Sequence, residues 1–320
     1  MSSEKVIENE DKISIKRYFA TNKIGDSDIS LRFNPLSYFD STMKRTSKTA
    51  LLILNQTINI NIELFSKLWE LTDLKVCADG GLNRLRNFDE SFVPDYVIGD
   101  LDSAKQSNID YYKSRGTQVI LQDSQYCTDF QKSTCLINIH CNHAHILDEV
   151  AEFDTIDGLV KKEEELGSLN DDSSSHNQDI QILLLGGVGG RFDQTMATIN
   201  QIWRYSVTRP QLQFVMINPE HLEFIILLKE GCNLIDYPKL DKDQELVFFG
   251  HETEKSRPGL RNVGLLPIME PAVISTHGLK WDVLHWETDV KSKMSSSNLQ
   301  VGNEGFIIET NKPLFLTLEL

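Results

Sequence analysis

Apolar positions along the chain fall into two textures. From Thr49 to about residue 219, short apolar runs alternate with stretches of helical period. TALLILN (49–55) is a continuous apolar run of strand length, and INIELFSKLWELT (60–72) sets Leu64, Leu68 and Leu71 on one helical face. LKVCADGG reads as a strand ending in a glycine turn, LNRLRNF as a short helix, and PDYVIGDLDS as a strand whose loop begins at Gly99. SAKQSNIDYYKSRG predicts a helix closed by Gly116, TQVILQ a strand, and TDFQKSTCLINI a helix capped by Thr128. A polar stretch at about 140–178, holding EEEL and LNDDSSSHNQD, reads as an insertion with some helix and a disordered DDSSSHN part. QILLLGGVGGR, FDQTMATINQIWRY and LQFVMIN then resume the order strand, helix, strand. Such alternation predicts a mostly parallel sheet flanked by helices.

Beyond Pro219 the helical period disappears. HLEFIILL, CNLIDY, ELVFFG, VGLLPI, AVISTHGL, WDVLHW, GFIIET and LFLTLEL are short β-prone runs at close spacing, the pattern of an all-β sandwich or barrel. The expected fold class is therefore α/β followed by a C-terminal all-β sandwich. Its parts are an N-terminal extension (1–48), an α/β domain (49–219) and a β domain (220–320), with the boundary near 218–222.

Composition narrows the function. The 320 residues are 40% hydrophobic and 25% charged, with no apolar stretch long enough to span a membrane. A polar, acidic start (MSSEKVIENEDK) without a secretory core makes the cytoplasm the expected compartment, and five scattered cysteines do not form a disulfide framework. A net charge of −15 argues against nucleic acid and anionic lipid as partners. An anionic nucleotide stays compatible, because a divalent cation bridges carboxylates to phosphates.

Four motifs fall at the carboxyl ends of predicted strands, where open α/β sheets bind ligands. Asp100 and Asp102 stand two apart after a buried strand, so in extended backbone both side chains point one way, and paired carboxylates suit magnesium. Standing alone, the pair reads more readily as a helix N-cap, with Asp102 or Ser103 opening a helix over 104–115, and the neighbouring motifs shift the balance toward metal. GGVGGR follows a strand and opens a helix, so its amides can cradle phosphate with Arg191 adding charge, although a ligand-free glycine turn has the same sequence. Lys132 and Asp129 suit phosphate and metal respectively, or simply each other as an intrahelical ion pair. Asp79 before Gly80-Gly81 would hydrogen-bond ligand or shape the turn.

In this order, ADGG, PDYVIGDLDS, TDFQKS, LLLGGVGGRFDQT, STHGLKWDV and MSSSN resemble the thiamine pyrophosphokinase family, in its eukaryotic version with an α/β domain followed by a β-sandwich. The resemblance covers about residues 49 to 320 apart from the insertion. It implies an enzyme that transfers a diphosphate group from ATP to the hydroxyl of thiamine, with Mg2+ assisting attack on the β-phosphorus and AMP leaving. Asp100, Asp102 and Asp129 match the family's magnesium acids, Lys132 a phosphate-facing lysine, and Gly187, Gly189, Gly190, Arg191 and Asp193 the nucleotide segment, to which Asp79 is added. Trp281, Ser295, Ser297 and Asn298 match the thiamine pocket, where a tryptophan face suits a cationic thiazolium ring. Plain core packing for Trp281 and a solvated turn for the serines are the competing readings of those residues. The family also implies a homodimer, each active site joining the α/β domain of one subunit to the β domain of the other. Asp100 is the expected acceptor of the alcohol proton, and Gln194 departs from the histidine many relatives carry after Asp193.

Rival readings rest on single features. A metal-dependent phosphohydrolase needs clustered aspartates but no thiamine pocket, and a nucleotide sensor needs GGVGGR but no metal acids. Cys135, His140, Cys141, His143 and His145 match no usual zinc spacing. Asn55-Gln56-Thr57 has the form of a glycosylation triplet but sits at a buried strand end.

Overall fold

The run TALLIL, apolar on both faces, lies inside a parallel sheet, where a strand with no polar side belongs. The computed structural model describes residues 4–9, 13–43, 45, 47–147, 153–169, 178–220, 222–238 and 261–319. The chain opens with β1 (Lys5–Glu8), α1 (Ile15–Asn22) and β2 (Ile29–Phe33). It continues through β3 (Lys48–Ile53), α2 (Ile62–Leu71), β4 (Leu74–Ala78), α3 (Gly81–Phe88), β5 (Tyr96–Gly99), α4 (Gln106–Lys113) and β6 (Gln118–Leu121). Next come α5 (Asp129–Asn142), α6 (Gly158–Leu169), β7 (Ile180–Leu185), α7 (Phe192–Thr208) and β8 (Leu212–Asn218). Only strands follow among the described residues: β9 (Glu223–Leu227), β10 (Gly231–Ile235), β11 (Asn262–Leu266), β12 (Ala272–His277) and β13 (Trp281–Leu284). The last are β14 (Trp286–Thr288), β15 (Ser295–Leu299), β16 (Phe306–Thr310) and β17 (Phe315–Glu319).

Two compact units result: Arg45–Ile60 with Leu68–Glu220, and Met1–Lys44 with Asn61–Lys67 and His221–Leu320. In the first, six strands run parallel in the order β8-β7-β3-β4-β5-β6. Leu51, Leu52, Leu183, Leu184, Val215 and Met216 are fully buried along it. The polar insertion does contain a helix: α6 packs on α5, and its buried Glu163 accepts hydrogen bonds from Asn138 (2.6 Å) and from Arg209 at the end of α7. A buried, charge-assisted pair of this kind ties the insertion to the unit, because removing one partner strands the other charge. The DDSSSHN and ELVFFG segments lie outside the described residues.

The second unit is a β-sandwich. One sheet has the order β14-β12-β16-β10-β2, and β15, β11, β17 and β9 form antiparallel neighbours in another. The two sheets meet through aromatic packing: Phe224 of β9 lies edge-on to Phe33 of β2 (ring centroids 5.9 Å) and to Tyr38 (5.7 Å), and stacks on Phe39 (6.1 Å). The described residues of 4–43, within the segment 1–48 read from sequence as an extension, therefore supply core and strands to this unit: β2 runs parallel to β10, and β1 pairs antiparallel with β13. The serine run is not a turn but strand β15, held by its pairing with β11 despite weak β-propensity.

Phe224 is 0% exposed at the centre of this cluster. Phe224→Ala should lower the stability of the sandwich unit by about 3–5 kcal/mol in denaturant unfolding. A loss below about 1 kcal/mol would mean the cluster does not hold the two sheets together.

Candidate active site

β3 and β7 are neighbours, yet the chain leaves β3 toward β4 on one side and β7 toward β8 on the other. That divergence opens a crevice at the strands' carboxyl ends. A cavity of about 420 Å³ lies there, lined by Asn55 and Gln56 after β3, Gly186 after β7, Thr128 and Asp129 at the start of α5, and Gln194. A second depression of about 620 Å³ shares Asn55, Gln56 and Gln194 and is walled by Arg84 and the Gly189–Arg191 turn.

Acids crowd the next strand ends. Carboxylate oxygens of Asp79, Asp100 and Asp102 all lie within 4.8 Å of one another. They converge through turns rather than extended strand: Asp79 (φ 41°) and Leu101 (φ 62°) both adopt left-handed backbone. Asp79 is fixed by its amide donating to Ile98 (2.9 Å) and by Oδ1 accepting from the Ala104 amide (3.1 Å). Asp100 accepts from Gln125 Nε2 (2.9 Å). Neither Asp102 nor Ser103 caps a helix, since α4 starts after Lys105.

Asp129 opens α5, whose first turn carries a full capping box: Thr128 Oγ1 accepts from the Gln131 amide, and Gln131 Oε1 accepts from the Thr128 amide. Lys132, 1% exposed, holds its Nζ 3.3 Å from Asp129 Oδ1, so the intrahelical ion pair is present. Gly99 lets these groups approach: a Cβ there would stand 2.7 Å from Asp79 Cβ and 3.0 Å from Asp129 Oδ1. The sequence paired Asp129 with Asp100 and Asp102; the closest trio instead contains Asp79, with Asp129 beside it.

The charges respond to this crowding. Burial raises the carboxyl of Asp79 above the usual range, reinforced by Asp100 and opposed by hydrogen bonds from Gly80, Ser103 and Ala104. Burial likewise raises Asp129, against the attraction of Lys132 and with the repulsion of Asp79 and Asp100. At Asp100 burial pulls upward, but hydrogen bonds from Gln125 and the Asp102 amide, with the charge of Lys132, hold the carboxyl low. Hard oxygen donors in negative excess fit a divalent cation such as Mg2+. Among the described residues this is the one cluster with metal-ligand geometry, and the Cys135–His145 group does not converge.

The glycine turn reaches α7 through left-handed Gly189 (φ 86°) and Gly190 (φ 63°), and Gln56 Nε2 donates to the Gly189 carbonyl (2.8 Å). α7 begins after Arg191, whose side chain does not cap it but pairs with Asp193. Backbone amides at such a helix start offer an anion site. Asn55 Oδ1 accepts from Arg84 Nε (2.9 Å). Asn55, Gln56, Arg84 and Gln125 went unread in sequence, the first two hidden inside the apparent glycosylation triplet.

A separate cavity of about 310 Å³ in the sandwich unit brings together Trp281, Ser295, Ser297 and Asn298. Trp281 is 40% exposed, so it is not a core residue. Asn298 clamps it: Oδ1 accepts from the Trp281 amide (3.1 Å) and Nδ2 donates to the Trp281 carbonyl (2.8 Å). The sequence missed Val6, Trp286 and Met294 in the same lining.

Comparison with known proteins agrees across both units. A family model described as "Thiamin pyrophosphokinase, catalytic domain" matches residues 65–215, and one described as "Thiamin pyrophosphokinase, vitamin B1 binding domain" matches residues 252–315. The chain is 34% identical to thiamine pyrophosphokinase of Saccharomyces cerevisiae, over 99% of this chain and 97% of that one. It is 29% identical to thiamine pyrophosphokinase 1 of Arabidopsis thaliana, over 86% and 87% respectively. Among solved structures, thiamin pyrophosphokinase from Candida albicans superposes with a TM-score of 0.82 at 32% identity, covering 100% of this chain and 99% of that chain.

Because its carboxyl is raised, Asp79 contributes stability that is full below the ordinary carboxylate pKa and lost as pH rises through the raised value. At neutral pH its ionised form opposes folding when no cation is bound. Asp79→Asn should therefore raise the Tm of chelator-treated protein at pH 7, by about 2–4 °C per kcal/mol relieved. The gain should vanish below about pH 4, where the carboxyls are protonated. An unchanged or lower Tm at pH 7 would mean the acids are not in repulsion.

Proposed function

The chain belongs to the thiamin pyrophosphokinase family, and from that premise we propose how its two units divide the reaction. It is a kinase that makes thiamine diphosphate from thiamine with ATP as co-substrate. The observation that carries the division of labour is the convergence of Asp79, Asp100 and Asp102 beside the switch-point crevice.

ATP is assigned to that crevice, with its phosphates on the Gly187–Gly190 turn and the first amides of α7. Arg191, now paired with Asp193 on the surface, is available to exchange that partner for a phosphate oxygen. Asp100 and Asp102, with Asp79 or Asp129, would hold Mg2+. When bound, the cation neutralises charge on the phosphates and fixes their orientation. Lys132 holds Asp129 in place from the buried side. Trp281 receives the thiazolium cation on its face, and the serines of β15 meet the aminopyrimidine.

The hydroxyethyl oxygen of thiamine attacks the β-phosphorus; the new O–P bond forms as the bond to the α-phosphate oxygen breaks, and AMP departs with that electron pair. The alcohol proton passes to a carboxylate. Asp129, raised by burial, is the better acceptor, whereas Asp100 is held low and is the weaker base.

The proposed assembly is a homodimer in which the α/β unit of one subunit serves the sandwich unit of the other. Exposed Phe192 and Val207 on α7 give apolar surface for association. The proposed compartment is the cytoplasm, which suits five free cysteines. No helix among the described residues is long and apolar enough to cross a membrane.

Asp100→Asn should lower turnover by about a hundredfold or more with little change in thiamine KM. Trp281→Ala should raise thiamine KM and leave ATP KM unchanged; equal loss for both substrates would mark a structural tryptophan. Exchanging equal amounts of the two variants, assayed at thiamine too dilute for Trp281→Ala to turn over, should restore about a quarter of wild-type activity, because half the dimers then hold one intact shared site. No recovery in exchanged dimers would place each active site within a single subunit.

A further inference from the structure

Strand β1, which the sequence left in an extension, reaches the cavity that carries Trp281. It pairs antiparallel with β13 in the register Val6↔Val283 and Glu8↔Trp281. Directly paired residues share a face of a ladder, and alternate residues along a strand return to it. Val6, Val283 and Trp281 therefore stand on one face, and all three line the cavity.

Both ends of the strand are fastened. At its start Glu4 forms an ion pair with Lys293 (2.6 Å) and accepts from the Glu287 amide (3.0 Å), while Lys293 Nζ lies 5.2 Å from the Trp286 ring centroid. At its end Asn9 Nδ2 donates to buried Asp282 (2.6 Å) and to the Leu279 carbonyl (2.8 Å), and Lys280 Nζ donates to the Asn9 carbonyl (2.8 Å). The clamp thus grips the residues on either side of Trp281.

Resting on the assignment of this cavity to thiamine, we propose that β1 is a structural part of the vitamin site, with Val6 as a wall that selects for a flat cationic heterocycle. Val6 is 62% exposed, yet it is aligned with the tryptophan face rather than with a core. Pairing of β1 with β13 holds Trp281 at a fixed height, and the valine closes the side of the pocket with an uncharged surface.

The test is steady-state kinetics on the full chain with three variants, reading KM for thiamine and for ATP separately. Val6→Lys places a like charge against the bound ring at an exposed position, where folding is little affected. It should raise thiamine KM about tenfold while kcat and ATP KM stay near wild type. Ile7→Lys, on the opposite face of the same strand, should leave thiamine KM unchanged. A merely structural strand would respond alike to both substitutions, with falling kcat and no selectivity between substrates. If Trp281→Ala raises thiamine KM but Val6→Lys leaves it within about twofold, the wall is refuted and the pocket stands. If neither variant moves thiamine KM, the cavity is not the vitamin site and both assignments fall.

Discussion

Four carboxylates and one buried ammonium share the space at the ends of β4 and β5 and the start of α5, and the α/β unit is arranged around their mutual repulsion. Asp79, Asp100 and Asp102 approach within a few ångströms, while Lys132 reaches only Asp129 directly. Like charges at this spacing remain together only when the backbone is over-determined. The parallel ladder provides that constraint, and so do the hydrogen bonds from the Asp79 amide to the Ile98 carbonyl and from the Ala104 amide to Asp79 Oδ1. The capping box on α5 and the absence of a side chain at Gly99 complete it. A rigid frame thus maintains an excess of negative charge, which a bound divalent cation would relieve.

The sandwich unit follows a different logic. On the proposed assignment its ligand is a cation, which aromatic faces and neutral polar groups would meet instead of acids. Trp281 is aimed by its neighbours: Asn298 binds both of its main-chain polar groups, and β13, which begins with it, is fastened to the amino-terminal segment. Preorganising a half-exposed aromatic in this way keeps its face available to a ligand at small ordering cost on binding.

How much of this was legible in the chain depended on range. TALLIL, LKVCA and QILLLG announced buried parallel strands, and Thr128 announced the start of α5, because those signals are local. Asp100 and Asp102 were found by spacing, but their convergence with Asp79 depends on β4 lying beside β5 and on left-handed backbone at Leu101. Asn55 and Gln56 were passed over because a topological switch point is a property of strand order, not of a tripeptide. β1 and β2 were missed for the same reason, since their partners β13 and β10 lie far along the chain. Serine-rich β15 defied propensity because pairing with β11 decides its conformation. Glu163 looked like one of several surface acids until Arg209 and Asn138 met it in the interior.

The central claim is that this acid cluster directs an alcohol to the middle phosphate of ATP. Its most direct test follows the fate of label when purified protein is incubated with thiamine, Mg2+ and ATP labelled at the β-phosphate. Thiamine-dependent release of unlabelled AMP, with all the label in thiamine diphosphate, is the predicted result. Labelled ADP together with unlabelled thiamine monophosphate would move the attack to the terminal phosphate, and label released as inorganic pyrophosphate without thiamine would make the cluster a hydrolase site; either contradicts the account.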